Sequence, residues 1–257
     1  MARTLVMILL KTAMLFFCSL LGNLVVSHSL PPTLPAGVAP MLGNLAGFLA
    51  GLLFALLFRQ RPAQWLTFSR GRLKHPIGCG LSLLFGIQTL GFLADLISSI
   101  TGQSTDHPVN PAENWLITFL AVVILSPLLE EMLYRGLIMG ISRPTAVSAP
   151  AFSVVLQGIL FGLMHSTPSA MLYAAAGGIL LGYFAAKSGS LRFSSAVHIV
   201  NNFIAFIQLL LQIYAGLPIA LLFSGLVWLI GGIGTIWLMR QMHKGVETDD
   251  EISKYST

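Results

Sequence analysis

Apolar residues along this chain form long runs separated by short polar or Pro-rich breaks. A helix needs about 20 mostly apolar residues to cross a bilayer. Eight stretches are read as such spans: residues 4–26, 36–58, 77–100, 115–139, 147–165, 169–186, 191–214 and 217–239. The strand-like alternation of an outer-membrane barrel does not recur. The pattern therefore predicts an all-α, polytopic membrane protein of about eight transmembrane helices around a buried polar site. Pro31, Pro32 and Pro35 break the first connection, and Pro108 and Pro111 mark the polar stretch from Thr101 to Asn114. Ser166-Thr167-Pro168 and Gly216-Leu217-Pro218 read as tight turns. The first run is longer than the roughly 7–15-residue core of a signal peptide, so it reads as a retained span. Residues 1–257 are treated as one transmembrane domain, with 240–257 as a solvated, disordered cytoplasmic tail.

Composition fits this reading. Apolar residues make up 55% of the chain and charged residues 9%. A soluble domain carries about 25% charged residues, so here apolar surface must face lipid. The net charge of +5 does not point to nucleic acid, because the basic residues are scattered singly or sit in one short loop. Arg59, Arg61, Arg70, Arg72 and Lys74 share one connection, Arg143 lies in another, and Lys187 and Arg192 in a third. Arg3 leads the chain, and Arg240, Lys244 and Lys254 follow its last run. These are alternate connections plus both ends, which predicts cytoplasmic termini in a cell membrane. Cys18 and Cys79 lie inside apolar runs and suggest neither a disulfide framework nor a metal motif.

Ionisable side chains inside spans are costly and tend to line a cavity or pair with one another. They concentrate in three runs here: Glu130, Glu131 and Arg135 in the fourth, His165 at the end of the fifth, and His198 with Asn201 and Asn202 in the seventh. Residues four apart share a helix face. Glu131 can thus pair with Arg135, while Glu130, turned by about 100°, faces different space. Phe161 and His165 share the spacing of four, as do His198 and Asn202. A carboxylate beside a histidine can deprotonate a water. A second histidine with an amide can stabilise an oxyanion. A carboxylate with two histidines is also a catalytic zinc ligand set, which here would be Glu130, His165 and His198. Asp95, near the end of the third span, reads as facing interfacial water.

The run Glu130-Glu131-Met132-Leu133-Tyr134-Arg135 resembles the EExxxR motif of the CAAX protease and bacteriocin-processing (Abi) family of intramembrane proteases. Phe161-Gly162-Leu163-Met164-His165 resembles its FxxxH motif, and His198-Ile199-Val200-Asn201-Asn202 its HxxxN motif. All three occur in order, each on its own expected span, within residues 115–205. The resemblance implies an intramembrane endopeptidase acting on membrane-associated peptides or proteins. It implies that Glu130 activates water with His165 as partner, and that His198 and Asn202 stabilise the oxyanion. Glu131 and Arg135 become a structural pair that orients the site. No cofactor is assigned; zinc stays open, since the family has been described both as glutamate-dependent and as metalloprotease. The expected partners are membrane lipid and a peptide or membrane-protein substrate. A non-catalytic immunity or binding protein is the main alternative. A proton-coupled transporter is the other, though the polar groups occupy only one half of the chain.

Overall fold

The computed structural model describes residues 2–35, 37–68, 74–101, 114–142, 150–165 and 167–254. Every regular element among them is helical. The helices are α1 (Ala2–Ser29), α2 (Val38–Leu57), α3 (Pro76–Thr101), α4 (Trp115–Ile141), α5 (Pro150–Gly162), α6 (Pro168–Ser188), α7 (Leu191–Tyr214) and α8 (Leu217–Lys254). A single 3₁₀ turn, Pro62–Gln64, lies between α2 and α3. Seven of these helices are long and apolar enough to span a membrane, and many of their large apolar side chains face outward. The chain is a multi-pass, all-helical membrane protein.

The expected fifth span differs. Its described helix, α5, has 13 residues, about 20 Å at 1.5 Å per residue, which is short of a bilayer core. The helix stops at Gly162, and His165 sits in the turn that follows, its N–H donating to the Gly162 carbonyl at 3.0 Å. Leu163 and Met164 continue the apolar run without continuing the helix. The expectation that His165 lies on a helix is thus corrected. The tail also differs: α8 runs unbroken through residue 240 to Lys254. Lys, Glu, Gln and Met over this stretch are good helix formers. Arg70, Arg72, Arg143 and the Asp95 side chain lie outside what the structure describes.

Close backbone contact sets the arrangement around α4. Helices α1 and α2 form a tight hairpin because α2 presents Gly43, Gly47 and Gly51 to α1. A Cβ on Gly47 would stand 2.7 Å from the Ser19 carbonyl oxygen, and small interfacial residues are what allow membrane helices to approach this closely. On the opposite flank, Leu66 and Trp65 lie on the bare backbone of α4 at Gly136 and Gly140. Thr67 ties this segment to the α6–α7 turn, accepting from the Leu191 N–H at 2.8 Å and donating to the Gly189 carbonyl at 3.3 Å. That turn is specified locally. Gly189 takes the left-handed conformation (φ 67°) ending α6, and the Ser190 hydroxyl caps α7 by accepting from the Arg192 N–H. Positive φ is open to glycine at no steric cost.

Candidate functional site

Helix α4 is not a regular α-helix. Two π-helical stretches, Leu120–Leu125 and Glu131–Ile138, flank a short α-helical segment, Ser126–Glu130. Such stretches occur often at functional sites. Pro127 gives a local cause for the first, because its ring excludes the carbonyl four residues back and it has no N–H. In the π register Ser126 N–H bonds the Ala121 carbonyl. The next carbonyl, Val122, would need an N–H from residue 127, which is proline. Asn202 on α7 supplies the missing donor: its Nδ2 lies 3.0 Å from the Val122 oxygen.

The two adjacent carboxylates of α4 have opposite surroundings. Glu131 is fully buried. Its Oε1 lies 3.1 Å from Arg135 Nη1 and 2.9 Å from His198 Nδ1. The Arg135 side chain is buried too, with its guanidinium carbon 4.7 Å from the centre of the Phe161 ring. Its Nη2 and Gln157 Nε2 both donate to the Gly178 carbonyl, at 3.4 and 2.8 Å. A cavity of about 90 Å³ opens beside Arg135, also lined by Gln64, Trp65, Thr67 and Ser190. Glu130 instead keeps 21% of its side chain accessible. Its Oε1 accepts from Asn44 Nδ2 of α2 at 2.9 Å, and its Oε2 lies 3.7 Å from His198 Nε2.

His198 therefore stands between the two carboxylates. A carboxylate can only accept, so Nδ1 must carry a hydrogen toward Glu131. Nε2 then faces Glu130 across a gap slightly longer than a hydrogen bond. His165 meets the site through Phe161. Its Nδ1 lies 3.1 Å from the Phe161 carbonyl, and its ring is edge-on to the Phe161 ring at 5.1 Å. His198 meets the same ring edge-on at 6.0 Å. Phe161 thus contacts both histidines and lies over the guanidinium.

The structure brings Glu130, Glu131, Arg135, Phe161 and His198 together and sets His165 against Phe161. Among the described residues His165 makes no direct hydrogen bond to Glu130; the histidine nearest Glu130 is His198. Asn202 directs its amide to α4 backbone. Asn201, beside it, is buried in a separate network, accepting from Gln88 Nε2 at 3.1 Å and donating to the Tyr173 hydroxyl at 3.4 Å. Among the described residues no three His, Cys, Asp or Glu side chains converge as metal ligands. Glu130, His165 and His198 do not converge into such a set as they stand. Asn44 was not anticipated from the sequence, although an amide inside an apolar span is the kind of signal that marks a site.

Fold and site together define a membrane-embedded polar centre on an irregular helix, built from Glu, His and Asn side chains and shielded from lipid by seven long apolar helices. Residues 112–204 match the family described as Type II CAAX prenyl endopeptidase Rce1-like. Those residues hold all three of the motifs that resemble the CAAX protease and bacteriocin-processing family. A curated relative, the uncharacterized protein YyaK of Bacillus subtilis (strain 168), is 29% identical over 153 residues, covering 51% of this chain and 50% of that protein. The chain thus spans about half the length of that relative. No solved structure matches it.

Proposed function

We propose that this protein is an intramembrane endopeptidase that hydrolyses membrane-associated peptides or proteins, with Glu130 as the group that activates water. One observation carries the reading. Of two adjacent carboxylates, Glu131 is sealed in a buried ion pair while Glu130 keeps a partly accessible side chain whose Oε2 faces His198 Nε2. A base must be reachable by the proton it takes, and only Glu130 qualifies.

In this reading Glu130 Oε2 takes a proton from water as the water oxygen bonds to the scissile carbonyl carbon. The carbonyl oxygen becomes an oxyanion. His198 in its doubly protonated form, held by Glu131 through Nδ1–H, donates from Nε2–H to that oxygen. Asn202 spends one N–H on Val122 and has a second to offer. Glu130 then passes its proton to the leaving nitrogen as the C–N bond breaks. His165, with Nδ1 turned to the Phe161 carbonyl, presents Nε2 as a further acceptor near the site. Glu131 and Arg135 orient His198. The alternation of basic connections supports cytoplasmic termini. A peptide or membrane-protein substrate is favoured over a prenylated one.

The test is cleavage of a panel of membrane peptides and prenylated peptides by purified protein, with and without a strong zinc chelator. Loss of cleavage in Glu130→Gln and His165→Ala, with activity kept in chelator, supports a glutamate-activated water. Loss on chelation points to metal-assisted hydrolysis. Cleavage retained in Glu130→Gln contradicts the proposal.

A further inference from the structure

Glu130 is gripped from a part of the chain that lies outside the segment matched to the family. Asn44 on α2, 86 residues away in sequence, donates from Nδ2 to Glu130 Oε1 at 2.9 Å, and the same nitrogen lies 3.5 Å from the Ser126 hydroxyl. Asn44 Oδ1 in turn accepts from Asn23 Nδ2 of α1 at 2.9 Å, and Asn23 Oδ1 accepts from the Ser27 hydroxyl at 3.4 Å.

The direction of this chain is fixed by its end. A carboxylate that accepts forces the Asn44 NH₂ toward Glu130, which turns the Asn44 oxygen toward Asn23. Every donor then points along Ser27, Asn23 and Asn44 to Glu130, and such chains polarise cumulatively in a low-dielectric setting. The Gly43 and Gly47 contacts that draw α1 onto α2 put Asn23 within reach of Asn44. An asparagine in an apolar span is costly unless paired, and here both amides are paired with each other and with the site.

We infer that Asn44, oriented by Asn23, is a positioning residue for Glu130. It pins Oε1 and leaves Oε2, the oxygen facing His198, as the one that takes the proton. The α1–α2 hairpin is then part of the working site and not only a lipid-facing wall. This inference rests on the peptidase reading for its kinetic consequence, whereas the contact itself is independent of that reading.

Two readouts test it. The first is kinetic. A hydrogen bond to a charged group is worth about 1.5–3 kcal/mol, so its loss corresponds to about tenfold to a hundredfold in rate. Asn44→Leu and the isosteric, acceptor-bearing Asn44→Asp are expected to lower kcat by this factor with KM little changed. Asn44→Gln, which keeps the donor, is expected to retain most activity. Asn23→Leu is expected to lower kcat less, and to add nothing in the Asn44→Leu background. Wild-type kcat in Asn44→Leu or Asn44→Asp overturns the inference.

The second readout needs no substrate. A double-mutant cycle on unfolding in detergent pairs Asn44→Leu with Glu130→Leu. Destabilisation by Asn44→Leu that shrinks in the Glu130→Leu background supports the contact. Equal destabilisation in both backgrounds overturns it. Coupling found in a wild type that cleaves nothing supports the contact and counts against the peptidase reading instead.

Discussion

Two carboxylates one residue apart on α4 live in different worlds. Glu131 has no accessible surface, an arginine four residues on, and a histidine hydrogen bond from α7. Glu130 is partly accessible, bonded to a neutral amide from α2, and faces the other nitrogen of that histidine. The 100° turn between neighbouring helical residues is enough to send one side chain into a closed ion pair and the other into partly accessible space. A charge locked by pairing supports structure, and a charge left partly accessible can do chemistry. His198 links the two, so in the proposed mechanism the structural carboxylate sets the orientation of a group that serves the reactive one.

The largest effect is expected where this comparison is broken on the buried side. Arg135→Met leaves Glu131 and its charge buried without the arginine, with His198 and Ser194 as its remaining partners. Removing one member of a buried pair costs about 3–5 kcal/mol, so unfolding in detergent should show a loss of this size. Adding Glu131→Gln should return part of it. Full stability in Arg135→Met would mean that the pair does not carry the fold of this region.

A smaller effect is expected from the flank of α4 that bears Trp65. A Cβ on Gly140 meets the Trp65 ring. Overpacking of this kind costs about 1–3 kcal/mol, so Gly140→Ala should lower the unfolding midpoint. Freed from Gly140, Trp65 should also change its fluorescence relative to a Trp65→Phe control. An unchanged midpoint would mean that the segment does not rest on α4 in the membrane.

Asn202→Leu removes the donor that serves Val122. Hydrogen bonds between membrane helices average about 0.6 kcal/mol, so only a slight destabilisation is expected from that contact alone. If Asn202 also serves the oxyanion, kcat should fall well beyond what this stability change accounts for. A kcat that follows stability alone would assign Asn202 to holding the π-helical turn. The smallest effect on stability is expected from Glu130→Gln, which keeps an oxygen for Asn44 and removes a charge that is already partly exposed.

Much of the fold was legible because hydropathy reports burial in lipid directly. The long runs became long helices, and the breaks at Pro31, Pro35 and Pro168 lie outside the helix interiors. Hydropathy could not place the end of α5, since Leu163 and Met164 are as apolar as a helix interior and only the backbone leaves the helix after Gly162. The residues gathered around Phe161 were legible as motifs at a spacing of four. Their partners were not. Asn44 reaches Glu130 through a packing of α1, α2 and α4 that no local pattern encodes, although the Gly43, Gly47, Gly51 repeat was its trace. Likewise the bond from Asn202 to Val122 follows from Pro127 only once α4 is known to be π-helical there.

The most direct measurement sets Glu130→Gln beside Glu131→Gln, each assayed for unfolding in detergent and for cleavage of a membrane peptide that the wild type processes. The account predicts that Glu130→Gln unfolds like the wild type and cleaves nothing, while Glu131→Gln is the variant that loses stability. Cleavage by a stable Glu130→Gln, or a Glu131→Gln as stable as the wild type, would contradict it.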